Sequence, residues 1–336
     1  MVELSSKNAS VDVSVVIVSY NTADLTIDCI ASVREQTVGC SFEIIVVDNA
    51  SPDDSADRIA ERFPDIRLIA SKKNYGFGVA SNIGAYAACG DWILLLNPDT
   101  VVKDNAIDKL LGFARSNEHG AIFGGRTVDE EGNLDPTSCW AKTTPWSAFT
   151  RAVGLSTIFR QSSLFNPEMM LNWQRDSVRE VDIITGCFLL VSAENWKSIG
   201  GFDPRFFMYG EEADLCLRAA EKGMKLFFCP TAEIMHYGGA SETVRADKVV
   251  RLFRAKAQVF ALHWSKGAAA FGRFTLDFWS GSRSFVSWIF CPFSESARNS
   301  HEAWINIWKR RAEWHKPDER PYSALTVEEL RVPTVE

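Results

Sequence analysis

Short apolar runs that stop abruptly at polar residues dominate the first hundred positions. Val13–Ser19, Phe42–Asp48 and Trp92–Leu96 are rich in Val, Ile and Leu, and residues 66–70 form a shorter run of the same kind. Runs of this length read as buried strands. Between them the pattern shifts to a helical period. Ala23–Gln36 is a predicted helix that Thr22 can cap. Ser51 is expected to cap a second, with Pro52 at its first position and Asp53 and Asp54 in its first turn. Residues 77–89 form an alanine-rich helix ending at Gly90, 105–116 a further helix, and 121–124 a strand. The alternation predicts an α/β fold, a mainly parallel sheet with helices on both faces.

The character changes after Arg126. Residues 127–180 hold many turn residues and are expected to form loops with short elements over the sheet. Residues 182–192 read as a strand interrupted by Gly186, and 193–198 as a helix. A helix at 211–222 is closed by Gly223. Residues 225–228 read as a strand ending at Pro230, and 236–241 as a flexible turn. Six of the eleven tryptophans fall between 264 and 314, in a helical, aromatic C-terminal stretch. Trp304, Trp308 and Ala312 would share one helix face, with Lys309, Arg310 and Glu313 opposite. The expected division is an α/β domain over 1–245, a Trp-rich helical region over 246–316 and a polar tail over 317–336.

Charge and cysteine usage narrow the function. A net charge of −7 argues against a general nucleic-acid binder, which needs a basic surface. None of the eight cysteines forms a C-x-x-C pair, so a zinc cluster is not expected. Scattered cysteines and a polar start without a secretory signal suit the cytosol. No window approaches the roughly 18 uncharged apolar residues of a membrane span. Peripheral contact with a membrane stays open.

The polar tips of the strands carry the candidate chemistry. Ligands of open α/β sheets bind at the carboxyl ends of the strands. Tyr20, Asn21, Asp48 and Asn49 would line one crevice there. Asp48 can accept from a pyrimidine N3–H or a ribose hydroxyl, or serve as a turn residue. The first turn, Ser-Tyr-Asn-Thr-Ala-Asp, has no glycine, which speaks against a dinucleotide site. Asp99, after the run Leu94-Leu95-Leu96-Asn97-Pro98, can hold a divalent ion against a diphosphate or cap a turn. The glycines of 73–78 let backbone approach a phosphate or sugar at a helix N-terminus, or simply make a tight turn. Glu212 shares a helix stripe with Leu215, Cys216 and Ala219, so an inward general base and dipole compensation are both open. Glu211 can also turn inward. Asp214 and Arg218, four apart, suit an ion pair. His236, before two glycines, can ligate a metal or be structural. The tryptophans can be core or interfacial.

Taken in order, Val-Ile-Val-Ser-Tyr-Asn (16–21), Ile-Val-Val-Asp-Asn-Ala-Ser (45–51), Asn-Tyr-Gly-Phe-Gly-Val-Ala-Ser-Asn (74–82), Leu-Leu-Leu-Asn-Pro-Asp (94–99) and the acidic segment 200–218 resemble the inverting family 2 glycosyltransferases with the GT-A fold, in their rhamnosyltransferase-like branch. The resemblance covers roughly residues 12–241. It implies a nucleotide-sugar donor, dTDP- or UDP-linked, and Mg²⁺ or Mn²⁺. On the matching motifs it places Ser19, Tyr20, Asn21, Asp48, Asn49, Asn74, Gly76, Phe77, Asn82 and Asn97 at the nucleotide-sugar. It places Asp99 at the metal, with His236 as a candidate further ligand. It places the base in Glu211-Glu212, with Glu212 the choice. Two departures stand out. Asn97 occupies a position the family usually fills with an acid, and Glu212 stands where it often has aspartate. The implied acceptor is a surface-polysaccharide or polyprenyl-linked glycan. The competing readings are an inactive nucleotide-sugar binder or assembly protein, and a nucleotidyltransferase, which would favour a glycine- and lysine/arginine-rich first loop absent here.

Overall fold

The computed structural model describes residues 11–238, 245–318 and 320. In chain order the first half contains β1 (Val13–Ser19), α1 (Ala23–Gln36), β2 (Phe42–Asp48), α2 (Ser55–Arg62), β3 (Arg67–Ala70), α3 (Phe77–Ala87), β4 (Trp92–Leu96), β5 (Thr100–Val102), α4 (Ala106–Ser116) and β6 (Gly120–Val128). There follow β7 (Leu134–Asp135), β8 (Cys139–Trp140), α5 (Pro145–Ala152), α6 (Leu155–Ile158), β9 (Arg179–Glu180), β10 (Ile183–Ile184), β11 (Phe188–Ser192), α7 (Ala193–Ile199), α8 (Glu211–Glu221) and β12 (Lys225–His236). Three long helices close the described chain: α9 (Arg245–His263), α10 (Lys266–Phe290) and α11 (Glu295–Lys309).

The main sheet runs β3-β2-β1-β4-β11-β6-β12-β5. Its first four strands are parallel. Every residue of β1 is buried. Successive side chains of a strand point to opposite faces, so Val15 and Ile17 pack with Ile30 and Leu110, while Val16 joins a second core on the other face. Two covered faces explain why these strands read as continuous apolar runs. On the second face α3 lies close to the sheet. A Cβ added at Gly84 would stand 2.3 Å from Val16 Cγ1 and 3.3 Å from Val47 Cγ2.

Several elements depart from expectation. The second helix starts at Ser55 with Asp54 at its N-cap, because Ser51 is held by Asp48 through both its hydroxyl and its N–H. Thr22 stands at the N-cap of α1 but makes no side-chain cap bond. The strand expected over 182–192 is two strands. β10 pairs with β8 in a small separate sheet, whereas β11 enters the main sheet antiparallel between β4 and β6. β12 runs through Pro230 to His236, since the proline lies in an irregular stretch between Cys229 and Glu233 where no ladder bond is lost. Residues 127–180 do hold the expected short elements, among them α5, with Pro145 at its start and a reciprocal Thr144–Ser147 capping box. α11 ends at Lys309, so Ala312 lies in the turn Arg311–Glu313 and does not share a helix face with Trp304 and Trp308. Residues 239–241 of the expected turn, and nearly all of the expected tail, lie outside the described residues.

The C-terminal helices have their own core of Val250, Phe253, Phe260, Leu276, Ile307 and Trp314, which also takes in Ala148 of α5. Ion pairs fasten α9 to α8: His263 contacts Asp214 and Glu221, each at 2.9 Å.

The close approach at Gly84 has a measurable consequence. Gly84→Val forces its branched side chain into Val16 and should lower the unfolding free energy by about 1–3 kcal/mol, read as a lower urea midpoint at unchanged slope.

Candidate active site

Because β1, β2 and β4 are parallel, their carboxyl ends share one edge of the sheet. A cavity of about 540 Å³ opens there. Tyr20, Asn49, Asn74, Gly76 and Phe77 line it from the first half of the chain, and Asn97 and Asp99 from the segment after β4. Glu211, Glu212 and His236 reach it from the second half.

Strand register brings the two halves together. β5 pairs antiparallel with the end of β12, setting His236 opposite Thr100. The Tyr237 N–H donates to the Asp99 carbonyl at 3.0 Å, and His236 Nε2 comes to 3.3 Å from Asp99 Oδ1. Asn97 Nδ2 lies 3.4 Å from the same ring nitrogen. On the far side of the ring, Nδ1 is buried without a hydrogen-bond partner, 3.8 Å from Asp135 Oδ2. Burial disfavours the charged imidazole, but Asp135 and Asp99 outweigh it and lift its pKa to about 9. The two carboxylates thus favour the cationic ring, at the place where a metal ion would compete for Nε2. A carboxylate and an imidazole are donors that suit Mg²⁺ or Mn²⁺. Among the described residues no three His, Cys, Asp or Glu side chains converge on one ion, so diphosphate and water would have to complete its shell.

The acids come from the start of α8, whose N-cap, Gly210, takes φ +81°. Glu211 is buried, and its Oε2 has no hydrogen-bond partner. Burial, then the neighbouring charge of Glu212, push its pKa well above the ordinary carboxylate range. Glu212 is half-buried, and burial raises it too. The expected stripe holds for Leu215, Cys216 and Ala219, all fully buried, but Glu211 lies deeper than Glu212. The reason is α3: Glu211 packs beside Gly78, where an added Cβ would meet Glu211 Cβ at 3.4 Å. Asp214 is different again. Burial would raise it, but His263 and Arg218 hold it low. Its expected pair with Arg218 is formed at 2.8 Å, and Arg218 also donates to the carbonyls of Ile199 and Gly201.

Four of the candidate residues do not line the cavity. Ser19 is buried, its hydroxyl 3.0 Å from that of Thr26. Asp48 is taken up by Ser51. Asn21, at φ +57°, donates its N–H to Ser51 Oγ. Asn82 spans to the Phe202 backbone, donating to its carbonyl at 2.8 Å and accepting from its N–H at 2.9 Å. These side chains brace the walls. Asn49 lines the cavity and also pins the 74–77 loop, donating to Asn74 Oδ1 and accepting from the Tyr75 N–H. The first amide of α3 is not open for a ligand, because the Phe77 N–H donates to Phe207 O at 2.9 Å.

Comparison with known proteins gives this geometry a family. The family described as Glycosyl transferase family 2 matches residues 14–176, and one described as N-terminal domain of galactosyltransferase matches residues 175–239. The rhamnosyltransferase WbbL of Escherichia coli is 30% identical over 208 residues, 58% of this chain and 73% of that protein. The chain belongs to the family 2 glycosyltransferases. Within that family its relatives include the N-acetylglucosaminyl-diphospho-decaprenol L-rhamnosyltransferase of Mycobacterium tuberculosis, 27% identical over 212 residues. The match spans 58% of this chain and 66% of the mycobacterial enzyme. Among solved structures, the mannosyltransferase PcManGT of Pyrobaculum calidifontis, in complex with GDP-Man and Mn²⁺, superposes with a TM-score of 0.55 at 14% identity, covering 91% of this chain and 87% of that one. That likeness establishes the GT-A fold.

In this glycosyltransferase, sequence reasoning missed three charged members of the site. Lys248 and Arg251 project into the cavity from α9, and Asp135 backs His236. The spacing of three puts the two cations on one face of a helix, but no pattern aims that face at a strand edge formed far earlier in the chain.

The buried, unpartnered Glu211 gives a pH prediction. A carboxyl whose pKa is raised on folding stabilises the fold fully below its unfolded value of about 4.3, and that stability is lost as pH rises through the folded value. Glu211→Gln cannot ionise. Its urea midpoint in EDTA should lie near wild type at pH 5 and exceed it increasingly toward pH 8. A gap that stays constant with pH would mean that Glu211 does not ionise against its surroundings.

Proposed function

We propose that this chain moves a sugar, L-rhamnose from dTDP-L-rhamnose being the leading choice, from a nucleotide-diphospho-sugar to a hydroxyl of a polyprenyl-linked or surface-polysaccharide glycan, with inversion. One observation carries the reading: the Asp99–His236 pair and the Glu211–Glu212 pair face one cavity at the carboxyl ends of the parallel strands. A leaving group and an attacking group need such opposed, chemically distinct partners.

Asp99 and His236 would hold a divalent Mg²⁺ or Mn²⁺, which when bound supplies Lewis-acid neutralisation of charge on the departing diphosphate. Lys248 and Arg251 add fixed positive charge to the same cavity. Glu212, half-buried and able to meet an incoming acceptor, removes the proton from its hydroxyl. The oxygen then attacks the anomeric carbon as the bond to the diphosphate breaks on the opposite face. Glu211, deeper and unpartnered, stays protonated and orients its neighbour. Two adjacent carboxyls thus take different roles because their surroundings differ. Tyr20, Asn49, Asn74, Gly76 and Phe77 form the wall for the nucleotide-sugar. A nucleotide-sugar donor and eight free cysteines suit the cytosolic face of a membrane.

The test is release of nucleoside diphosphate from a panel of dTDP-, UDP- and GDP-sugars, with Mn²⁺ or Mg²⁺ and then with EDTA. The expected result is metal-dependent release from one donor, abolished in Asp99→Ala. Calorimetric donor binding with no release under any metal, with or without acceptor, would instead mark an inactive nucleotide-sugar binder. For the base, Glu212→Gln should lower kcat by roughly 10²–10⁴-fold and leave donor affinity near wild type, whereas Glu211→Gln costs less. Equal losses in the two variants would remove the division of roles.

A further inference from the structure

The C-terminal helices carry a surface that the transfer reaction does not use. Six exposed large apolar side chains lie in residues 146–164 and nine in 271–293, against six in the rest of the described chain. On α10 they form a stripe. Phe271, Phe274, Phe278, Phe285 and Ile289 follow at spacings of three, four, seven and four, which is one face of a helix. The face turned into the protein is made mostly of small residues, Ala269, Gly272, Thr275, Ser280, Ser284 and Ser287, with Leu276 among them. A Cβ at Gly272 would stand 2.5 Å from the Phe260 ring, so the inner face is packed closely. α10 thus shows five phenylalanines to the outside and mostly small residues to the core, with Leu276 and Trp279 its large inward contacts, the reverse of a helix that faces only water.

The patch is continuous. An open cavity of about 790 Å³ between α5–α6 and α10 is lined by Val153 and Ile158 on one side and by Phe278, Val286 and Phe290 on the other. Its charge runs against that of the whole chain. Residues 141–165 hold three cations and no carboxylate, and 266–290 hold three cations and Asp277 alone, in a protein of net charge −7. Asp277 is occupied internally, accepting from Trp314 Nε1 at 3.0 Å and meeting His315 at 2.8 Å. Lys142, Arg160 and Lys266 are exposed in these segments, while on neighbouring α11 Arg298 is offset by exposed Glu295 and Glu302. Among the described residues no helix is long and apolar enough to cross a membrane.

We infer that the α5–α6 and α10 face is a docking surface for an anionic lipid bilayer, on which α10 lies in the plane of the headgroups. Aromatic rings beside cations are the chemistry that such an interface selects. A second copy of the chain fits less well, because self-pairing sets the same cations against one another, whereas anionic headgroups offset them. The inference stands on this surface and does not depend on the transfer reaction.

The full chain is mixed with phosphatidylcholine vesicles, with and without phosphatidylglycerol, and the bound fraction is read by co-sedimentation. Wild type should bind the anionic vesicles more tightly than the neutral ones. Phe274→Ser with Phe285→Ser should weaken binding to both by at least about tenfold. Lys142→Glu with Arg160→Glu should weaken only the anionic case, by roughly fivefold or more per site. Both variants should keep the wild-type urea midpoint. Failure of wild type to sediment with either vesicle overturns the inference. So does equal binding by folded variants, or a dimer in sedimentation equilibrium that the phenylalanine pair dissolves while vesicle binding persists.

Discussion

The pairing of β5 with the last residues of β12 holds the site together. Three residues of β5 meet Ile234, Met235 and His236 in antiparallel register, and that short ladder brings the second half of the chain to the tip of β4. Asp99 and His236 come from distant parts of the sequence, and each is correctly placed only if both strands keep register. A slip of one residue would turn His236 to the opposite face of the sheet. The bulge around Pro230 matters for the same reason, since it sets the phase in which β12 arrives.

Buried acids divide into two kinds around this frame. Asp48, Asp203 and Asp214 are buried and fully engaged, by Ser51, by Arg205, and by Arg218 with His263 respectively. Such acids hold loops at fixed positions. Glu211 has one carboxyl oxygen buried with no partner, and His236 has one such ring nitrogen. A buried polar atom without a partner calls for an explanation, and of the several among the described residues these two belong to side chains that line the cavity. Both come from the second half of the chain, one at the start of α8 and one at the end of β12.

Much of the fold was readable from pattern because local forces decide it. β1, α1, β2 and β4 have the bounds their apolar runs predict, since two covered sheet faces leave little choice of residue. Tertiary partners decide the rest. Nothing local shows that Asp48 would take Ser51 from the helix behind it, or that residues 182–192 would divide between two sheets. The motif residues were found in sequence, but their use was not equally legible. Asn82 and Ser19 belong to recognisable segments, yet their side chains bond to Phe202 and Thr26 because those atoms are adjacent only after folding. The relative depth of Glu211 and Glu212 depends on where α3 lies, which no helical period within α8 can reveal.

The His263 bridge to Asp214 and Glu221, together with Lys248 and Arg251 in the cavity wall, bears on how this enzyme can be recombined. The first turns of α9 line the cavity, and its end is riveted to the helix that carries the acids. Exchanging the C-terminal third between relatives is therefore not a change of appendage. A graft made at residue 245 would bring a foreign cationic wall and remove a brace from α8, so ligand preference and the seating of the acidic pair would be inherited together with the new helices.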